Sequence, residues 1–99
     1  MRKTSKESKI TRSSGNVFID VGFDEAQAQL LTLRADLMMQ LDKQLKARQL
    51  TQVAASELLG VSQSRISDLV RGKTEKFSLD MLVLFAAKLG TPARIELLN

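Results

Sequence analysis

The sequence of 99 residues contains no cysteine and no histidine. Without cysteine, disulfide bonds and thiolate metal sites are excluded. Without histidine, the sequence lacks the commonest general base, the usual partner of a nucleophilic serine and the most frequent metal ligand. The aspartates and glutamates that remain for acid–base chemistry or cation binding are scattered along the chain. We therefore expect a protein that is not an enzyme and that has neither a cofactor nor a metal site.

The sequence also lacks a long apolar run. No stretch approaches the roughly 20 apolar residues that are needed to cross a bilayer. The first residues, Met1 to Lys6, are basic, but they are not followed by the apolar segment of a secretory signal. These two absences lead us to expect a cytoplasmic protein with no membrane partner.

Positive charge is concentrated at the N-terminus. The net charge is +4, and residues 1–15 carry this excess with five basic residues and one acidic residue. Residues 16–50 carry −1 and residues 51–99 carry +1. Because residues 1–15 are too polar to form a core, they are predicted to be a flexible basic arm. Such an arm is attracted to a polyanion such as DNA, although a solvated disordered tail explains the composition equally well.

The remaining residues, 16–99, are predicted to form a single, mainly α-helical domain. Alternation of apolar and polar residues predicts short strands at the two ends of this domain, over Asn16–Phe23 and from Ala93 to Leu98. Since a lone strand is not stable, we expect the two terminal strands to pair with each other or with a second copy of the chain.

Four helices are predicted between these strands. The first runs from Glu25 to about Arg48 behind the cap Asp24, and at about 1.5 Å per residue it is roughly 35 Å long. We expect its first half to extend beyond the core, toward a second subunit or a partner. Each shorter helix follows a Ser or Thr cap and stops at a glycine. These helices are Gln52–Leu59, Gln63 to Val70 or Arg71, and Leu79–Leu89.

The most specific pattern lies in residues 51–73. Two short helices can meet at a steep angle only across a sharp turn with small residues at their crossing point. Gly60 tolerates a positive φ at the turn, and Ser56 is small. The apolar positions that face inward are Ala55, Leu59, Val61, Ile66 and Leu69. This spacing predicts a helix-turn-helix motif over about residues 52–71, which enters the major groove of double-stranded DNA.

The segment LTQVAASELLGVSQSRISDLVRGK resembles the motif of the XRE (Cro/repressor-like) helix-turn-helix family along its whole length. FSLDMLVLFAAKLG is similar to the next helix of that family, while SGNVFIDVGF and RIELL resemble its HigA-type antitoxin branch. The resemblance covers about residues 14–98, and Ser56 stands where the family usually has alanine. It implies a lambda-repressor-like helix-turn-helix bundle of about four helices with short terminal β-strands.

The second helix of the motif supplies the residues that we expect to contact DNA. Gln63 can pair with adenine, Arg65 with guanine, and serine hydroxyls with several base edges, whereas Asp68 can accept from cytosine or repel wrong sites. The candidates for base reading are therefore Gln63, Ser64, Arg65, Ser67 and Asp68. The candidates for phosphate contacts are Gln52, which resembles the phosphate-contacting position of the family, together with Arg71, Lys73 and Lys76. For each residue taken alone, the alternative is a merely solvated helix face.

These expectations describe a nucleoid-associated transcriptional regulator, a homodimer on a palindromic operator. Resemblance to HigA-type antitoxins further implies one partner of a type II toxin–antitoxin pair, which neutralises a small RelE/HigB-like toxin and represses its own operon. The basic arm and the first half of the long helix are the surfaces that we assign to the toxin. Two alternatives remain open: a stand-alone prophage-type repressor with no toxin partner, and a protein-interaction module that has lost DNA binding.

Overall fold

The computed structural model describes residues 22–98, and within this range it contains four α-helices and one short 3₁₀ helix. The helix bounds agree with the predicted ones to within one residue at each end. The prediction of a mainly helical bundle of about four helices is thereby confirmed for the described residues. The helices are α1 (Glu25–Ala47), α2 (Gln52–Leu59), α3 (Gln63–Val70) and α4 (Leu79–Lys88), and the 3₁₀ helix η1 (Thr74–Lys76) lies between α3 and α4.

Side-chain caps fix the start of each α-helix. The carboxylate of Asp24 accepts from the backbone amide of Gln27 at 2.7 Å, and the side chain of Gln27 accepts from the backbone amide of Asp24 at 3.2 Å. Thr51, Ser62 and Ser78 each accept from the amide three residues further on, at 3.0, 3.1 and 3.1 Å. Because the first amides of a helix have no intrahelical partner, these bonds set the point at which each helix begins.

One core is shared by all four helices. From α1 it takes Met38, Leu41 and Leu45, which lie in the second half of that helix, whereas Leu30 in the first half is 42% exposed. α1 packs against α3, η1 and α4, and α2 in turn packs against α3 and α4. Burial of these apolar side chains is the main force that holds α2 and α3 in place. The other core residues are Ala55, Leu59, Ile66, Leu69, Phe77, Leu82, Phe85, Ala86 and Leu89.

The predicted C-terminal strand is wrong. Residues 91–98 form no strand, and none occurs elsewhere in the described part of the chain. Ala93 packs against the core, but Ile95 and Leu97, the next residues of the alternating pattern, are 55% and 94% exposed. A strand is stable only when a neighbouring strand pairs with its backbone. The alternation shows that these side chains would suit a sheet, but no described residues form a neighbouring strand for residues 93–98.

The predictions for the N-terminus lie largely outside the described residues. They are the basic arm over residues 1–15 and the first part, residues 16–21, of the strand predicted over Asn16–Phe23. The last two residues of that predicted strand, Gly22 and Phe23, are described and are not in a strand. Within residues 22–98, no helix is both long enough and apolar enough to cross a membrane.

Candidate nucleic-acid interface

The turn between α2 and α3 has the tight geometry that the sequence predicts. Gly60 ends α2 with a φ of +73°, a left-handed conformation that side chains other than glycine rarely adopt. Its amide donates to the carbonyl of Ser56 at 2.8 Å, and the amide of Val61 donates to the same carbonyl at 3.0 Å. Ser56 is buried, and its hydroxyl donates to the carbonyl of Val53 at 2.7 Å. The small serine therefore fits at the crossing point without leaving its hydroxyl unpaired.

A lysine from α4 supports the same turn. Lys88 Nζ donates to the carbonyl of Leu59, the last residue of α2, at 3.1 Å. Carbonyls at the end of a helix have no intrahelical partner and carry partial negative charge, so a cation stabilises them. A Cβ atom at Gly60 would lie 3.5 Å from this Nζ. The hydrogen bond from Lys88 thus connects the turn between α2 and α3 to α4.

We expect Lys88→Met to lower the free energy of unfolding by about 1 to 2 kcal/mol, because the Leu59 carbonyl loses its charged donor while the aliphatic packing is kept. Urea denaturation followed by circular dichroism measures the change. Lys43→Met is the matched control, since Lys43 is exposed on α1. An equal loss of stability in the two variants would show that the bond to Leu59 contributes nothing of its own.

The N-terminal half of α3 presents a polar outer face. Gln63 and Ser64 are exposed at the start of the helix, and Ser67 is half-buried one turn later. Residues three or four apart on a helix are neighbours, so Ser67 adjoins both of the others. On the opposite side, Ile66 and Leu69 are buried in the core. The buried side therefore holds α3 in place, while the side-chain amide of Gln63 and the serine hydroxyls face outward near its N-terminal end.

Arg65 packs against the beginning of α4. Its guanidinium carbon lies 4.8 Å from the centroid of the Phe77 ring, and Nη2 donates to Met81 Sδ at 3.5 Å. Phe77 is itself buried and meets Phe85 edge to face, with ring centroids 6.2 Å apart. A cation over an aromatic ring contributes roughly 0.5–1 kcal/mol. To contact a guanine, Arg65 would have to leave this ring, and in its present position it joins α3 to α4.

A cluster of ion pairs lies at the C-terminal end of α3 and consists of Asp68, Lys73 and Lys76. One carboxylate oxygen of Asp68 lies 3.8 Å from Lys73 Nζ and the other lies 3.9 Å from Lys76 Nζ. The side chain of Asp68 is 19% exposed, compared with 39% and 47% for the two lysines. One predicted base reader and two predicted phosphate contacts are thus brought together and paired with one another.

The other two candidates for phosphate contacts are exposed at helix ends. Gln52 is the first residue of α2, and Arg71 directly follows the last residue of α3. The N-terminal end of a helix carries partial positive charge and outward amides, which suits a phosphate at Gln52. Arg71 has an exposed cationic group that can contact the phosphate backbone without reading sequence.

The profile of the helix-turn-helix domain matches residues 17–97, a range that includes all four helices and the turn at Gly60. The chain belongs to this helix-turn-helix family. The family makes double-stranded DNA the expected partner of the α2–α3 pair. A search of curated proteins gave no significant match.

In this helix-turn-helix domain, the candidate residues fall into two groups. Gln52, Gln63, Ser64 and Arg71 are exposed and Ser67 is half-buried beside them, whereas Arg65, Asp68, Lys73 and Lys76 are engaged with other side chains. Sequence reasoning missed the bond from Lys88 to Leu59 and the contacts of Arg65 with Phe77 and Met81. Both sets of contacts join residues far apart in the chain. A basic residue in the last turn of a helix, such as Lys88, predicts only an interaction with the end of its own helix.

Proposed function

We propose that this protein is a sequence-specific transcriptional regulator that reads the major groove with α3. The observation that carries the proposal is the outward N-terminal half of this helix, where Gln63 and Ser64 are exposed while Ile66 and Leu69 anchor the opposite side. An α-helix fits the major groove, where a glutamine amide can pair with adenine and a serine hydroxyl can bond to several base edges. Gln63, Ser64 and Ser67 are the base readers in this proposal.

Phosphate contacts set the register of α3 on the duplex. We assign them first to Gln52 and Arg71, which are exposed at the ends of α2 and α3. Contacts of this kind raise affinity for every sequence and carry no sequence information directly. Discrimination between operator and other DNA then depends on the three polar side chains of α3.

We expect Gln63→Ala to reduce affinity for the operator by about 1–3 kcal/mol and to relax specificity at one base pair, because a bidentate contact to a base is lost. Affinity for unrelated DNA stays unchanged. Fluorescence anisotropy with both duplexes measures the difference, and Gln29→Ala, an exposed position on α1, is the control. If Gln63→Ala weakened binding to both duplexes equally, Gln63 would be a phosphate contact instead of a base reader.

The proposed regulator acts as a homodimer on a palindromic operator. Two-fold symmetry allows the same half-site to be read twice, with centres about 34 Å apart along the duplex. Exposed apolar side chains support a dimer interface formed by α4 and the C-terminal segment. Leu84 on α4 is 60% exposed, and Ile95, Leu97 and Leu98 in the segment are also exposed. Burial of such side chains against a second copy removes apolar surface from water.

We further propose that the protein is the antitoxin of a type II pair, which neutralises a RelE/HigB-like toxin and represses its own operon. Two observations support this role. The flanking segments resemble HigA-type antitoxins, and the first half of α1 exposes Leu30 before the core begins at Met38. Ala28 in this part of α1 is buried, so the side that carries Leu30 is the one available to a protein partner while α3 contacts DNA.

Co-expression with the adjacent open reading frame tests the antitoxin role. We expect the two proteins to purify as one complex, and the neighbour expressed alone to arrest growth by cleaving mRNA. Footprinting of the complex on its own promoter then tests autoregulation. If no complex forms and the protein still protects its promoter, it is a stand-alone repressor. If it protects no DNA at all, it is an interaction module that retains only the fold.

A further inference from the structure

The cluster of Asp68, Lys73 and Lys76 uses both carboxylate oxygens of a single acid. Each oxygen faces a different ammonium group, at 3.8 and 3.9 Å. Asp68 is the least exposed of the three side chains. Charge pairs that are partly shielded from solvent are screened less by salt than fully exposed ones. The arrangement therefore places one negative charge between two cations at the edge of the surface that faces DNA in the proposed function.

The backbone holds these three residues in a fixed relation. The amide of Lys73 donates to the carbonyl of Asp68 at 3.0 Å, and the amide of Lys76 donates to the carbonyl of Lys73, also at 3.0 Å. Phe77, the next residue, is buried in the core and anchors the end of the loop. The backbones of Lys73 and Lys76 consequently have set positions around Asp68, and these positions favour both ion pairs in the folded domain.

The acid has two effects on an approaching duplex. It holds Lys73 and Lys76, which would otherwise be available to phosphates, and its own charge repels the phosphate backbone. Both effects act on the backbone of DNA, which is the same for every sequence. Residues 51–99 carry a net charge of only +1, a sum that already includes Asp68, so this carboxylate offsets one of their six positive charges and weakens their attraction for DNA.

We propose that Asp68 limits affinity for DNA by keeping Lys73 and Lys76 off the phosphates, so that tight binding depends on base contacts made by α3. The proposal rests on the proposed DNA-binding function and deepens it. It gives Asp68 the opposite effect to that of a base reader. Removing a base reader weakens binding to the operator alone, whereas removing this acid strengthens binding to every sequence.

The test compares Asp68→Asn with Glu75→Gln, which changes the net charge by the same amount. Glu75 is exposed, lies between the two lysines in the chain and forms no ion pair with any residue of 22–98. Anisotropy titrations use the operator and a scrambled duplex at several salt concentrations. We expect Asp68→Asn to raise affinity for both duplexes by roughly three- to thirtyfold at moderate salt. For Asp68→Asn, the slope of log K against the logarithm of salt concentration should become more negative by about one to two. Glu75→Gln should change affinity by less than about twofold.

A second variant separates the lysines from other effects of the substitution. Adding Lys73→Gln and Lys76→Gln to Asp68→Asn should return affinity and salt slope to those of the wild-type protein. The same two lysine substitutions made beside an intact Asp68 should lower affinity for both duplexes alike, because they leave its negative charge uncompensated beside the phosphates. Thermal denaturation confirms that each variant is folded before the titrations are compared.

Three results overturn the proposal. The first is a loss of affinity confined to the operator, which would make Asp68 a base reader. The second is an equal gain with Glu75→Gln, which would reduce the effect to net charge. The third is co-elution of Asp68→Asn and Glu75→Gln from a heparin column. This result decides the role of Asp68 even if the wild-type protein binds no duplex, an outcome that by itself refutes only the proposed function. The proposal requires Asp68→Asn to elute from heparin at higher salt than Glu75→Gln.

Discussion

Ile66→Asp is expected to unfold the domain. Ile66 is 1% exposed and lies in the core on the inner side of α3. A carboxylate at this position would be removed from water, and no cation lies in the core cluster to pair with it. We expect a loss of more than about 4 kcal/mol, which is comparable with the whole stability of a small domain. The far-ultraviolet circular dichroism of the variant should show loss of helix at 25 °C.

Ser64→Asp is the matched control for this experiment, because it places the same side chain on the exposed side of the same helix. We expect its free energy of unfolding to stay within about 0.5 kcal/mol of the wild-type value. Its affinity for DNA should nevertheless fall, since the new carboxylate would face phosphates and base edges. Cooperative unfolding of Ile66→Asp at the wild-type temperature would contradict the orientation of α3, and with it the assignment of the DNA-reading face.

Leu41→Ala should have the second-largest effect. Leu41 is 1% exposed in the second half of α1 and belongs to the core that the four helices share. Truncation of a buried leucine removes apolar contacts and leaves a cavity, at a cost of about 2–5 kcal/mol. Urea denaturation measures the loss. We expect the variant to remain folded at 25 °C but to unfold at a clearly lower urea concentration.

Leu30→Ala tests the other half of the same helix. Leu30 is exposed, so its truncation should cost less than about 1 kcal/mol. If it contributes to the toxin interface, the variant should purify with less of the neighbouring protein while it keeps its stability. A loss of stability equal to that of Leu41→Ala would mean that the first half of α1 belongs to the structural core, and would remove the argument for a free docking surface there.

The helices could be predicted closely because the signals that bound them are local. Thr51, Ser62 and Ser78 bond to amides only three residues away, and Gly60 closes its turn on a carbonyl four residues back. The periodicity of apolar residues likewise depends on neighbours one or two turns apart. Such interactions are read directly from the order of residues, so the positions of α1 to α4 follow from the sequence.

The features that could not be predicted depend on contacts between distant segments. The alternation around Ile95 suits a strand, but a strand also requires a partner, which a local pattern cannot reveal. Arg65 has the chemistry of a guanine reader, yet its position is set by Met81, 16 residues further along the chain. Lys88 acts on a carbonyl 29 residues before it. Residue types therefore indicated the kind of site, while the packing of α4 and the loop before it decided which side chains face outward.

Binding of the purified wild-type protein to its own upstream DNA, compared with a scrambled duplex of equal length, tests the central claim most directly. Anisotropy titrations at physiological salt should show at least about a thousandfold preference for the upstream sequence. Gln63→Ala should reduce this preference, while binding to the scrambled duplex is unchanged. Equal affinity for the two duplexes, or no binding by a protein whose circular dichroism shows the helices intact, would contradict the reading of DNA by α3.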